Sequence, residues 1–486
     1  MSFAAPAPHW RHLLDGARTR TEPHLWPALG IALLAGLLAR LPLNVLALSL
    51  AAAAVLVAAI REPAAACGLL ALALPFGRYV PLPFAGADAV DLLVLGVVAA
   101  WLFSAIRHHA LRVRLRGAAI PAIILLWVLA LSLTQAASWR EGLREWLKWA
   151  ELVALFVAAL QILPGKQHLL LIGLFLAGVS EVALGAYQFL FRAGPEAFVW
   201  SGRFMRAYGT FSQPNPYAGY LGYLAPVAAS LFLAYGVRAW KQRNVRTGAI
   251  ALLLASVAAA LVAGMLMSGS RGAWIGLVVA LALVGALHLR PATAIVTIGT
   301  MLLLAATVWL AGGTLVPEVV GQRLADLSPA AASVDMARTE ITDANFAVME
   351  RVAHWQAALR MWNDHPLLGV GIGNYATAYA QYAGPYFYDA LGHAHNVYLN
   401  FLAETGLLGL AAFLGFWLSA IWSLSRIARR TLGIYRGLAI GIIGSIAYLT
   451  VHSLFDNLFV AHMQLQLALL LAAAASIPIE AAIGTT

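Results

Sequence analysis

Charge is scarce in this chain. Only 11% of its 486 residues are charged against 62% hydrophobic, and the mean hydropathy is +0.81. Soluble domains carry roughly 25% charged residues, so the polar surface needed to cover a soluble core is missing. Cysteine is scarcer still. The single Cys67 lies in an apolar run, which excludes an intramolecular disulfide and any cysteine-rich metal site and leaves it a packing role. Internal repeats and low-complexity linkers are absent. No small-residue cleavage site follows a short apolar core, so no removable signal peptide is expected.

What the chain has instead is apolar runs of about twenty residues, each long enough to cross a bilayer as a helix. They are continuous and Leu/Ala-rich rather than alternating, which argues against a spanning barrel. The reading is an all-α, polytopic membrane helix bundle. The expected spans are 25–39, 43–60, 64–84, 87–106, 118–136, 147–163, 168–191, 215–237, 247–267, 272–289, 292–311, 397–425, 437–456 and 458–477, about fourteen in all. Pro75, Pro81 and Pro83 interrupt the third, which reads as a broken or re-entrant segment.

When the spans alternate in direction, Arg11, Arg18, Arg20, Arg61, Arg107, Lys166, Arg238, Arg290, Arg426 and Arg436 all fall on one side, in short loops. That side is cytoplasmic and holds both termini. The same distribution accounts for the net charge of +10 and speaks against a nucleic-acid partner. The chain then divides into a cytoplasmic tail (1–24), a first part of the bundle (25–311), a large outer loop (312–396), the last three spans (397–477) and a second cytoplasmic tail (478–486). The outer side also receives polar loops at 137–146 and 192–214 and the short corner Ser268-Gly-Ser-Arg271.

Within the large loop, Phe346, Met349, Val352, Trp355, Leu359 and Trp362 recur at helical spacing. They predict an amphipathic helix with Glu350, Arg351 and His354 turned away from its apolar face. Pro366 and the glycines 369–373 read as its stop; no strand precedes them, so they are not a nucleotide loop.

Polar residues that can carry chemistry gather on the outer side. Arg271, in a corner with almost no loop, is either an interfacial anchor or a ligand contact; the surrounding glycines and serines leave room for a ligand. Arg203 and Arg206 precede Pro214, Asn215 and Pro216, so they stand beside amide donors at a helix start. His393, His395 and Asn396 close the large loop where an apolar run begins. Arginine grips diphosphate oxygens with paired charge-assisted hydrogen bonds, and an imidazole can take a proton from an attacking hydroxyl. Together they suit a lipid-linked diphosphate donor and a hydroxyl acceptor. No Asp-x-Asp pair stands on this side, so no metal or other cofactor is expected. His393 and His395 with Asp389 form the alternative ligand set. His452 and Asp456, one helical turn apart, read as a buried hydrogen-bonded pair or as a further part of the cavity.

These pieces resemble the O-antigen ligase and polymerase superfamily of bacterial envelope glycosyltransferases. The stretches that carry the likeness are Arg206-Ala-Tyr-Gly-Thr-Phe with Asn215, Ser270-Arg271-Gly272, His365-Pro366-Leu-Leu-Gly369-Val-Gly371, and His395-Asn396 followed by Gly406-Leu-Leu-Gly409. They come in the family's order. The resemblance implies metal-independent, inverting transfer of a glycan from undecaprenyl diphosphate to an acceptor hydroxyl, on a glycan or lipid-linked acceptor, at the periplasmic face of the bacterial inner membrane. It makes His395 the base and Arg206 and Arg271 the diphosphate ligands, with Arg203, His393, Asn396 and Arg351 in support. It implies a fold similar to the wider class of lipid-dependent membrane glycosyltransferases. Ligation and polymerisation use the same donor and differ in the acceptor. A lipid-glycan transporter is the rival from another class, against which the absence of internal repeats counts.

Overall fold

The computed structural model describes residues 61–81, 87–107, 113–200, 202–289, 346–384 and 386–478, with a few single positions between them. The expected spans 25–39, 43–60 and 292–311, and most of 312–345, lie outside the described residues.

The helices are α1 (Pro63–Ala73), α2 (Ala89–Arg107), α3 (Ala119–Ser132), α4 (Trp139–Ile162), α5 (Gln167–Phe191), α6 (Pro214–Gln242), α7 (Val245–Met267), α8 (Arg271–His288), α9 (Phe346–Asp364), α10 (Tyr375–Tyr382), α11 (Val397–Arg430), α12 (Gly433–His452) and α13 (Met463–Ala475). Among the described residues, seven helices are long and apolar enough to cross a membrane: α2, α5, α6, α7, α8, α11 and α12. This is a polytopic, helical membrane protein. The two strands, β1 (Val199–Trp200) and β2 (Phe204–Met205), form one antiparallel hairpin. As the prolines predict, the third run breaks: α1 gives way to a 3₁₀ turn over Leu74–Tyr79.

Two expectations are corrected. Residues 139–146, expected as loop, are the opening turns of α4. The Ser138 hydroxyl accepts from the Glu141 amide, and Lys148 pairs with Glu145 one turn on, so local capping and pairing extend the helix before the apolar run begins. Likewise α12 ends at His452 rather than near 456, and Asp456 sits in the turn that follows.

Packing rests on small residues. A methyl group at Gly222 of α6 would strike the Tyr448 ring of α12, and one at Gly276 of α8 would come within 3.0 Å of it. These glycines let three backbones close around one tyrosine, the usual way membrane helices gain contact without a hydrophobic drive. Beside them, Trp149, Phe401, Phe413, Trp417 and Phe459 form an aromatic cluster, with Phe401 stacked on Phe413 at 4.3 Å. Such pairs contribute roughly 0.5–1.5 kcal/mol each beyond area burial.

The helix α11 is two helical pieces joined at Gly406 (φ 62°, ψ −163°). The loop after α9 inserts at that break: the Leu407 amide donates to the Pro366 carbonyl at 2.9 Å, and the Val370 amide to that of Ala403 at 2.9 Å. The carboxylate of Glu404 accepts from the Tyr375 amide at 3.0 Å. The glycines 369–373 therefore do more than stop α9. They fold its exit against the first piece of α11, the piece that carries the histidine loop at its start.

Candidate active site

The two arginine corners meet. The Arg206 backbone amide donates to the Phe198 carbonyl at the hairpin, and the next residue, Ala207, donates to Met267. From there the Arg206 side chain runs along the Ser268–Arg271 corner. Its Nε donates to the Ser268 carbonyl at 2.7 Å and its Nη2 to Asn215 Oδ1 at 3.2 Å. Gly269 takes a left-handed φ of +61°, and a methyl group there would lie 3.3 Å from Arg206 Nε. Arg271, which opens α8, is thus three residues from the carbonyl that holds Arg206.

From Asn215 the contacts pass to the histidines. Asn215 Nδ2 donates to Asp456 Oδ2 at 2.7 Å. The other carboxylate oxygen accepts from the Asn457 amide at 2.8 Å and stands 3.4 Å from His395 Nδ1 and 4.0 Å from His393 Nε2. Asp456 is 6% exposed. Burial by itself would raise its carboxyl. The contact with His395, the His393 ring and the Asn215 amide outweigh burial and hold it well below the ordinary carboxylate range.

His395 takes a left-handed φ of 51°, an uncommon conformation for a non-glycine residue and one that recurs at functional sites. Both its ring nitrogens are shielded from solvent and make no hydrogen bond; the Asp456 oxygen 3.4 Å from Nδ1 lies off hydrogen-bonding geometry. Its backbone amide donates to His393 Nδ1 at 3.1 Å, which leaves the His393 proton on Nε2, toward Asp456. Burial pulls the His393 imidazole down to about 4, so the ring is neutral at neutral pH.

The large-loop helix α9 closes the site, but not in the expected orientation. Its buried face holds Met349, Val352, Ala353, His354, Ala357 and Met361, whereas Phe346 and Leu359 are exposed. His354 is fully buried rather than turned away. It stacks on Tyr379 at 4.7 Å and meets His395 edge-on at 5.5 Å. The Tyr375 hydroxyl donates to the His354 carbonyl at 3.0 Å, so in its 3.1 Å contact with His354 Nδ1 it must accept. The ring proton therefore sits on Nδ1, and Nε2 is a buried lone pair without a partner. Burial, with the neighbouring His395, lowers His354 to about 4. One turn earlier, burial pulls the Arg351 guanidinium below its ordinary value; the charges of Asp456, Arg271 and Glu350 also act on it. Arg351 therefore stands near enough to both Arg271 and Asp456 to feel their charges.

The structure therefore brings together Arg206, Arg271, Asn215, Arg351, His393, His395 and Asp456. It sets three other candidates to different tasks. Arg203 is exposed in the hairpin and lies over the Phe204 ring at 5.2 Å. Asn396 caps α11, accepting from the Tyr398 and Leu399 amides and donating to the Leu454 carbonyl. His452 is not hydrogen-bonded to Asp456. Because α12 ends between them, its ring contacts the Tyr448 hydroxyl at 2.8 Å and Ser270 Oγ at 3.4 Å, pinning the arginine corner. Sequence reasoning missed His354, because heptad-like spacing marks one buried face and α9 is covered on more than one side.

His393, His395 and Asp456 each offer a ligand atom, all within 4.8 Å of one another. The carboxylate of this set is Asp456, not Asp389. Two imidazoles and a carboxylate are a donor set that suits a divalent ion. The same three groups also set two imidazoles beside one ionised carboxylate. Asp88, Asp91 and His462 form a second such group, in which His462 Nε2 contacts Asp88 Oδ2 at 2.7 Å. There both carboxylates also cap the start of α2, accepting from backbone amides.

No curated protein matches the chain. Residues 256–414 match the family model described as O-antigen ligase, a stretch that spans the Ser268–Arg271 corner, α9 and the His393–Asn396 loop. This part of the protein, with the histidine loop and the second arginine corner inside it, is similar to the O-antigen ligase family.

Proposed function

We propose that the protein transfers a glycan from undecaprenyl diphosphate to an acceptor hydroxyl, with inversion and without a metal. The observation that carries this reading is the unbroken run of contacts from the Arg206 guanidinium through Asn215 and Asp456 to His395. Cations for a diphosphate and a base for a hydroxyl share one site.

In this mechanism Asp456, ionised at neutral pH, favours the His395 tautomer with its proton on Nδ1. Nε2 then carries the lone pair. It takes the acceptor's O–H proton as the hydroxyl oxygen bonds to the anomeric carbon. The bond from that carbon to the diphosphate oxygen breaks with its electron pair, and undecaprenyl diphosphate leaves as an anion. Arg206 and Arg271 hold the growing charge on the diphosphate, with Arg351 beside them. A diphosphate is a good leaving group, so no separate general acid is needed. The positive-inside pattern over the roughly fourteen expected spans supports a site at the periplasmic face of the inner membrane.

The test is reconstitution of the full chain with an undecaprenyl-diphosphate-linked glycan and candidate acceptors, with product sizing. A single added glycan supports ligation, and a ladder supports polymerisation. No transfer to any acceptor, alongside movement of the lipid-linked glycan between leaflets, would replace the enzyme with a transporter. Transfer is expected to survive EDTA; a divalent requirement would turn His393, His395 and Asp456 into a metal site.

A further inference from the structure

The loop that carries Arg206 has little regular structure of its own, yet it is clamped by buried side chains of α5. Gln188 Oε1 accepts from the amides of Tyr208 at 3.1 Å and Gly209 at 2.7 Å, and its Nε2 donates back to the Gly209 carbonyl at 2.8 Å. Two turns earlier on the same helix, Glu181 Oε2 accepts from the Thr210 amide at 2.9 Å. Glu181 is fully buried and Gln188 is 5% exposed. The Thr210 hydroxyl completes the clamp with a 2.7 Å bond to the Pro75 carbonyl.

Buried irregular backbone persists only where its polar groups are satisfied, and the three successive amides of Tyr208, Gly209 and Thr210 are satisfied by these two side chains. A buried Glu and Gln in an apolar helix are costly unless they act. Gly209, at φ +56°, fits against the Glu181 carboxylate where any side chain would collide. The clamp begins two residues beyond Arg206 and leaves its guanidinium aligned on Ser268 and Asn215.

We infer that Glu181 and Gln188 are positioning residues for Arg206: by fixing the Tyr208–Thr210 backbone they set the diphosphate-binding geometry of that arginine. This rests on the reading of Arg206 as a diphosphate ligand. Glu181 acts as a hydrogen-bond acceptor, not through its charge, so an amide can replace it.

The experiment measures binding of undecaprenyl diphosphate to the full chain in detergent, with melting temperature read in parallel. Glu181→Gln keeps an acceptor for the Thr210 amide, and its Kd is expected within about twofold of wild type, whereas Gln188→Leu weakens binding by about tenfold. In an Arg206→Ala background, Gln188→Leu should add no further weakening, because the arginine it positions is gone. Full, additive weakening there would overturn the positioning role and leave a general structural one. Equal losses in Glu181→Gln and Glu181→Leu would overturn the acceptor role. A wild-type Kd in Arg206→Ala would sink the diphosphate reading itself, and the inference with it.

Discussion

Asn215 donates from its side-chain amide to Asp456 at 2.7 Å, and by this bond the start of α6 touches the turn after α12. Its carbonyl oxygen accepts from Arg206 on the other side. One amide therefore joins Arg206, the proposed diphosphate ligand, to Asp456, the carboxylate proposed to orient the base. Asn215→Leu keeps the approximate size and removes both bonds. Transfer rates measured at saturating donor are expected to fall by about tenfold or more, the scale of a small misplacement of reacting groups. A wild-type rate would show that the two halves of the site are independent.

His395→Ala should lower transfer by about 10²–10⁴-fold, the usual contribution of a general base, with membrane insertion unchanged. His393→Ala should cost much less, because that ring's Nδ1 is occupied by the His395 amide. Initial rates of the two variants, compared at one pH, check the assignment. If they are equally impaired, the two rings act as a unit, as metal ligands would.

Arg271→Lys keeps the charge but not the two-pronged fork. Loss of a charge-assisted contact at this position is expected to reduce kcat/KM by about 2–4 kcal/mol in barrier height, or roughly 30- to 1,000-fold. A lysine variant with the wild-type value would make Arg271 an interfacial anchor. Its neighbours Ser270 and His452 would then serve only to hold the corner.

Much of this was legible from residue order. Long apolar runs announced the membrane helices, Pro75 announced the break after α1, and the arginines and histidines stood out as a group because charge is so rare in this chain; the structure gathers several of them around Asn215 and Asp456. What could not be read was anything that depends on which segment lies opposite another. His354 sits at a position that helical spacing turns away from the apolar face, and its burial follows from Tyr375, Tyr379 and His395 packing around it from other elements. Asp456 looked like a helical neighbour of His452 until α12 ended early and delivered it to His395 instead. The break at Gly406 was invisible because an apolar run gives no sign that a loop from forty residues away will enter it.

That break gives a stability prediction. Gly406 has a backbone conformation open almost only to glycine, and a methyl group there would collide with Leu367. Gly406→Ala should therefore destabilise the protein by about 1–3 kcal/mol from backbone strain alone. It should also loosen the loop that braces the histidine segment. Melting temperature in detergent is expected to drop together with activity. Unchanged melting would mean that α11 can straighten without penalty.

The pH dependence of stability isolates His354. An imidazole in the unfolded chain takes up a proton near pH 6.5, whereas in the folded protein burial delays this to about 4. Between those values the unfolded state binds more protons, so stability is fully present above 6.5 and is lost as the pH falls. The loss attributable to this ring is at most about 3 kcal/mol by pH 4. His354→Phe preserves the ring stacked on Tyr379 but cannot be protonated. Its melting temperature should therefore fall less steeply than wild type between pH 6.5 and 4, even if it starts lower at pH 7. His393, lowered to the same range, remains in the variant and leaves part of the slope in place. Parallel curves for the two proteins would mean that the His354 ring is protonated in the fold as readily as in water, and that its burial beside His395 carries no electrostatic weight.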